Sequence, residues 1–97
     1  MVSRGNVVNE HQRDVMVVNK HGLHARPAMQ LVDTANQFDS SITVVSGDKH
    51  MDAKSIMSVM QLAATAGTTL RLVAQGDDAE EALEALERLI AGGFGEK

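Results

Sequence analysis

The segment richest in reactive side chains is residues 22–28, where a histidine and an arginine lie directly before a proline. Pro27 is typical of the first turn of a helix, so His24 and Arg26 are expected where the first backbone N–H groups have no partner. Such a helix end binds anions. Its positive end also disfavours the imidazolium form of His24, which leaves a neutral, nucleophilic ring. The guanidinium of Arg26 is suited to binding phosphoryl oxygens. The pattern predicts a phosphoryl acceptor at His24.

A metal site is the weaker interpretation of the same histidines. His21 and His24, with His11 as a candidate third ligand, fall on predicted loops. A metal site needs a further ligand and supporting hydrogen bonds, and no neighbouring residue supplies them at helical spacing. The chain has no cysteine, which excludes thiolate zinc and iron–sulfur sites. We therefore expect neither a metal nor a cofactor.

The composition is that of one small folded domain. The 97 residues are 43% hydrophobic and 23% charged, values that are ordinary for a globular chain. A formal net charge of −4 and only two aromatic residues, both phenylalanine, argue against nucleic-acid binding. No apolar run approaches the roughly 20 residues of a membrane span, and no secretory signal is visible. We expect a cytoplasmic protein without membrane insertion.

Hydrophobic periodicity divides the chain into three parts: a mobile leader over residues 1–13, a single domain over 14–91 and a flexible, glycine-rich tail over 92–97. Within the domain the pattern predicts the order β-α-β-β-α-β-α. Strands are expected near residues 15–18, 42–45, 49–53 and 68–73, and helices near residues 26–38, 56–66 and 79–90, the last with a cap from Asp77 or Asp78. So few elements cannot cover both faces of a sheet. We predict an α+β fold of two layers, with an antiparallel or mixed sheet and all helices on one face.

A second notable segment is residues 54–60. From residue type alone, Ser55 is a helix N-cap. Met60 is in register with the apolar stripe of the predicted helix and is expected to be partly buried, whereas Met57 lies off that stripe. If both methionines are accessible, they form a soft apolar patch able to fit several partner proteins.

Residues 22–28 resemble the active-site segment of HPr, the phosphocarrier of the bacterial phosphoenolpyruvate:sugar phosphotransferase system. Residues 54–60 are similar to the regulatory-serine segment of Gram-positive-type HPr. The resemblance extends over about residues 14–90, nearly all of the predicted domain. It implies an open-faced β-sandwich, in which a four-stranded antiparallel sheet carries three helices on one side.

The resemblance also implies the roles of individual residues. His24 would accept a phosphoryl group on Nδ1 from phosphorylated enzyme I and donate it to sugar-specific IIA components. Arg26 would neutralise the group, and the backbone around Ala25 and Arg26 would hold its oxygens. The protein would then be a stoichiometric carrier, not a turnover enzyme, and the family implies a monomer.

In Gram-positive-type HPr the serine that matches Ser55 is phosphorylated by HPr kinase/phosphorylase. A phosphate adds about −1.5 to −2 charge, which would change the choice of partner and favour a complex such as one with a transcriptional regulator. Met57 and Met60 would then belong to the partner-docking surface. The alternative function is a regulatory adaptor in catabolite control with little direct sugar transport.

The chain departs from the family pattern in several places. Some HPr proteins carry lysines around the docking helices, where this chain has Asp33, Asn36 and Ser58. Electrostatic steering towards an acidic enzyme I is expected to be weaker for that reason. Ala63 stands where many relatives have glycine, a change expected to matter little.

Overall fold

The computed structural model describes residues 10–96, and its elements follow the predicted order. The elements are β1 Glu10–Met16, α1 Ala25–Ala35, β2 Ser41–Ser46, β3 Lys49–Asp52, α2 Ile56–Met60, β4 Thr69–Gln75 and α3 Ala79–Ala91, followed by a tight turn at Gly93–Gly95. The prediction β-α-β-β-α-β-α is therefore confirmed. Within residues 10–96, no helix is long and apolar enough to cross a membrane.

The four strands form one sheet in the order β1-β4-β2-β3, and every neighbouring pair is antiparallel. Side chains alternate between the two faces of a strand, and in β4 Leu70, Leu72 and Ala74 are buried while their neighbours are more exposed. This buried face is covered by the helices, with Leu31 of α1 and Leu86 of α3 fully buried in the core. Such alternation of buried and exposed side chains is expected for a sheet that is covered by helices on one face only.

The opposite face of the sheet carries polar and partly exposed side chains. Arg71 of β4 donates from Nε to the Asp14 carboxylate of β1 at 3.0 Å, and both side chains are more than half exposed. No described helix covers this face. The open-faced β-sandwich is therefore confirmed, with a four-stranded antiparallel sheet and three helices on one side.

The first strand begins earlier than the sequence predicted. Glu10 already pairs with Gln75, so residues 10–13, expected in the mobile leader, belong to the sheet. Only Val15 is buried in this strand, which explains why its periodicity is weak. Backbone pairing with β4 holds the polar residues, and Arg13 adds an ion pair to Glu87 of α3 at 2.7 Å. The rest of the expected leader, residues 1–9, lies outside the described residues.

The first two helices end before their predicted limits. The last residue of α1 is Ala35, and that of α2 is Met60. After α2 the chain turns through Ala63, which has a left-handed backbone with φ of 49°. The left-handed region is unfavourable for alanine, so Ala63, which was expected to matter little, is strained at this position.

The segment after α3 is not the flexible tail that its glycine content predicted. Gly93, Phe94 and Gly95 all have positive φ, which reverses the chain direction. The Phe94 ring is buried against the core with only 4% exposure. A buried aromatic ring anchors the segment, and Glu96 is thereby brought back to the loop before α1.

Candidate functional site

His24 is the N-cap residue of α1, and its backbone is extended, with φ of −74° and ψ of −174°. Its carbonyl oxygen accepts the Ala28 N–H at 3.0 Å, the first hydrogen bond of the helix. The side chain makes no capping bond and is 42% exposed. The imidazole is therefore presented to solvent at the start of the helix, as the sequence predicted.

The loop before His24 is held against the turn that follows α2. The Leu23 N–H donates to the Ala64 carbonyl oxygen at 2.9 Å. Gly22 has a φ of +65°, and a Cβ atom built there would lie 2.3 Å from the same oxygen. Only glycine allows this approach, so the conformation of the loop depends on Gly22. It brings the backbone into the contact that positions His24.

Two backbone N–H groups at the start of α1 take no part in the hydrogen bonds of the helix. The N–H groups of Ala25 and Arg26 precede the first bonded amide of the helix, and Pro27 has no N–H to offer. In residues 10–96 neither of these N–H groups has a hydrogen-bond partner. The Arg26 guanidinium is exposed, and its charge acts on Glu96. Ala25 and Arg26 thus place unpaired donors and a positive charge beside His24, and both features favour anion binding.

Glu96 is a member of the site that sequence reasoning missed. Its Oε2 lies 3.0 Å from Nε2 of His24, and its Oε1 accepts from Nδ2 of Asn19 at 3.0 Å. Asn19 is itself buried and also donates to the Gly22 carbonyl oxygen at 2.7 Å. The pKa of the Glu96 carboxyl is lowered, chiefly by the Asn19 hydrogen bond and also by the contact with the His24 ring and the charge of Arg26.

Ser55 is the N-cap of α2, as its residue type predicted. Its Oγ accepts the Ser58 N–H at 3.3 Å, and its backbone is extended. The adjoining methionines are exposed: Met57 by 71% and Met60 by 43%. Met60, which was expected to be partly buried, is the last residue of α2 and has slightly less than half of its surface exposed.

A shallow apolar groove lies where α2 packs against α1. Met29, Val32 and Asp33 of α1 line it together with Ile56 of α2, and its volume is about 360 Å³. Among these lining residues Asp33 is charged and exposed. The groove is therefore apolar with an acidic edge.

The histidine pair shows no arrangement typical of a metal centre. The rings of His21 and His24 meet edge to face with their centroids 6.0 Å apart. Across the part of the chain that the structure describes, no group of three or more His, Cys, Asp or Glu side chains is placed to hold a metal ion. An exposed imidazole, free helix-start amides and a nearby guanidinium together form a site suited to accepting a phosphoryl group.

Comparison with known proteins agrees with this class of site. The family model for the PTS HPr component phosphorylation site matches residues 11–92. The phosphocarrier protein HPr of Cupriavidus necator is 47% identical over 85 residues, which cover 88% of this chain and 96% of that protein. The chain therefore belongs to the HPr family, the phosphocarriers of the phosphotransferase system.

Solved structures of the same family share the fold. The crystal structure of HPr-C-His from Thermoanaerobacter tengcongensis matches with a TM-score of 0.87 and 46% identity, covering 90% of this chain and 98% of that one. The catabolite repression containing protein Crh of Bacillus subtilis matches with a TM-score of 0.70 and 43% identity, covering 86% of this chain and 95% of that one.

Proposed function

We propose that this protein carries a phosphoryl group on His24, accepting it from phosphorylated enzyme I and passing it to sugar-specific IIA components. The observation that supports the proposal best is the exposed His24 ring beside the unpaired amides of Ala25 and Arg26. The ring supplies the nucleophile, and the amides and the Arg26 guanidinium supply donors for phosphoryl oxygens.

Incubation with enzyme I and phosphoenolpyruvate tests the proposal. The wild-type protein should gain one acid-labile phosphate, and His24→Ala should gain none. His21→Ala is the matched control, because His21 is also exposed and lies in edge contact with His24. Labelling that survives in His24→Ala, or that disappears in His21→Ala, would refute the assignment.

We further propose that phosphorylation of Ser55 by an HPr kinase/phosphorylase regulates this transfer. The serine directly precedes the helix that exposes Met57 and Met60, so a phosphate there places negative charge beside an apolar surface. Incubation with HPr kinase and ATP should add one acid-stable phosphate. Ser55→Ala should remove it and Ser58→Ala should keep it; a phosphate on any other residue contradicts the proposal.

Met57 and Met60 are proposed to contact partner proteins. Methionine adapts to differently shaped partners, and both side chains are exposed next to the groove between α1 and α2. Met57→Lys should raise the KM for transfer from enzyme I while kcat changes little. Met16→Lys is the control, since Met16 is half exposed at the end of β1, on the open face of the sheet. Equal effects of the two substitutions would contradict a docking role.

The second candidate function is a regulatory adaptor in catabolite control with little sugar transport. The similarity to Crh, which is described as a catabolite repression protein, is the observation that favours it. Deletion of the chain in its host separates the two functions. Lost sugar uptake supports the carrier, whereas normal uptake with altered catabolite control supports the adaptor.

A further inference from the structure

The segment after α3 folds back and contacts the loop that carries His24. Phe94 is buried, and the left-handed backbone from Gly93 to Gly95 turns the chain back over the core. The Glu96 N–H then donates to the Gly93 carbonyl oxygen at 2.9 Å. The Glu96 side chain is consequently held in place at His24, 72 residues away in sequence.

Both oxygens of the Glu96 carboxylate are engaged. Oε1 accepts from the buried Asn19 amide, and Oε2 faces Nε2 of His24 at 3.0 Å. An ionised carboxylate carries no hydrogen, so the hydrogen of this contact belongs to Nε2. In a neutral imidazole only one nitrogen carries a hydrogen. The other nitrogen, Nδ1, then holds the free lone pair.

We infer that Glu96 is a positioning residue for phosphoryl transfer, because it holds His24 in the tautomer whose Nδ1 is nucleophilic. The inference rests on the proposed function. In the transfer step the Nδ1 lone pair forms the new N–P bond, while the bond from phosphorus to the donor atom breaks and leaves its electron pair on the donor. The ring keeps its Nε2 hydrogen and becomes positively charged.

The Glu96 carboxylate balances this charge through the same contact. It also keeps the phosphorylated ring protonated, and a protonated imidazole is the better leaving group when phosphate moves on to an acceptor. The carboxylate lies at Nε2, the nitrogen opposite the one that reacts. Two further charged or titratable groups lie near the ring: Arg26, whose charge acts on Glu96, and His21, in edge contact with His24.

Substitution by glutamine gives a sharp test, because Asn19 still needs an acceptor. In Glu96→Gln the amide oxygen should face Asn19, so its NH₂ group faces Nε2 of His24 and donates to it. The hydrogen of the ring then moves to Nδ1 and occupies the nucleophilic position. Glu96→Ala removes the contact without imposing either tautomer. Glu84→Gln, on the exposed face of α3, removes the same charge away from the site.

The tautomer is measured by ¹⁵N NMR of the imidazole in the unphosphorylated protein. We expect the ring hydrogen on Nε2 in wild type and Glu84→Gln, and on Nδ1 in Glu96→Gln. Glu96→Ala should show a mixture of the two neutral tautomers. The rate of phosphorylation by enzyme I should fall by about tenfold in Glu96→Ala, from the loss of a charged hydrogen bond, and further in Glu96→Gln. Glu84→Gln should react like wild type.

Two failures are distinguishable. If the wild-type protein takes no phosphate, the proposed function fails, whichever nitrogen carries the hydrogen. If wild type takes phosphate while the two Glu96 variants react at the same rate and keep its tautomer, the inference about Glu96 alone is wrong. Circular dichroism and urea unfolding of each variant exclude a general loss of structure as the cause of a slower rate.

Discussion

Two charged side chains beside His24 have different surroundings. Glu96 is held by Asn19 and has little freedom. Arg26 is exposed and forms no hydrogen bond to any residue between 10 and 96, so its guanidinium is available to an incoming anion. A side chain with few protein contacts contributes little to folding stability, so Arg26 is free for the role in phosphoryl transfer that we propose for it.

Substitution of Arg26 should therefore separate transfer from stability. Arg26→Ala is expected to slow phosphorylation about tenfold to a hundredfold, the value of a hydrogen bond to a charged group, and to change the free energy of unfolding by less than about 0.5 kcal/mol. Transfer kinetics and urea unfolding measure the two effects. Arg88→Ala, an exposed arginine of α3, should change neither. An equal loss of rate and stability in Arg26→Ala would make Arg26 mainly structural.

The turn between α2 and β4 shows how one element positions another. Its Ala64 carbonyl oxygen accepts the Leu23 N–H and meets Gly22 closely, so the loop that carries His24 rests on this turn. The turn itself contains Ala63 in a left-handed conformation, which costs about 1–2 kcal/mol for a residue with a Cβ atom. The site is thus supported by a strained element.

Relief of this strain should stabilise the protein. Ala63→Gly is expected to raise the free energy of unfolding by about 0.5–1 kcal/mol, because the strain removed exceeds the entropy that glycine adds to the unfolded chain. Urea unfolding at constant m-value measures the change. The control is Ala64→Gly, whose backbone is not left-handed and whose methyl group is buried, and it should destabilise. Similar destabilisation by both substitutions would contradict the argument.

At the scale of the whole molecule, the end of the sheet away from His24 is held by one carboxylate. Asp78, at the start of α3, accepts the backbone N–H groups of Asp39 and Ser40 at 2.9 Å each, and it also accepts the Ser40 hydroxyl. These bonds join the turn before β2 to the turn after β4. The pKa of Asp78 is lowered, chiefly by the Ser40 hydroxyl.

This pKa shift predicts how stability depends on pH. Because the pKa of Asp78 is lowered in the folded state, the folded protein binds fewer protons at this carboxyl than the unfolded chain does. The contribution of Asp78 to the free energy of unfolding is therefore fully present above the ordinary aspartate pKa and is lost as the pH falls towards the lowered value. Unfolding in urea between pH 6 and about pH 3 should show this loss. Asp78→Asn should show a smaller loss, whereas Asp48→Asn, in the β2–β3 turn, should follow wild type. An unchanged acid dependence in Asp78→Asn would contradict the assignment. Phosphorylation of His24 should not change in either variant.

Most of the local structure could be read from the sequence, because it depends on neighbouring residues. Apolar spacing predicted the order of elements, and too few elements for both sheet faces predicted two layers with one face open. Pro27 located the start of α1 and thereby the exposure of His24. The resemblance to HPr supplied the direction of the strands and the candidate roles, and the comparisons confirm the family.

The tertiary structure decided the features that depend on residues distant in sequence. The polar start of β1 pairs with β4 in the sheet, and the left-handed Ala63 lies in the turn whose next residue, Ala64, contacts the loop at Gly22. The contact between Glu96 and His24 joins residues 72 positions apart and requires Phe94 to be buried. Hydrophobic periodicity predicts the type of each helix or strand and which of its faces is apolar. The distance between two loops, in contrast, is set by how the whole core packs.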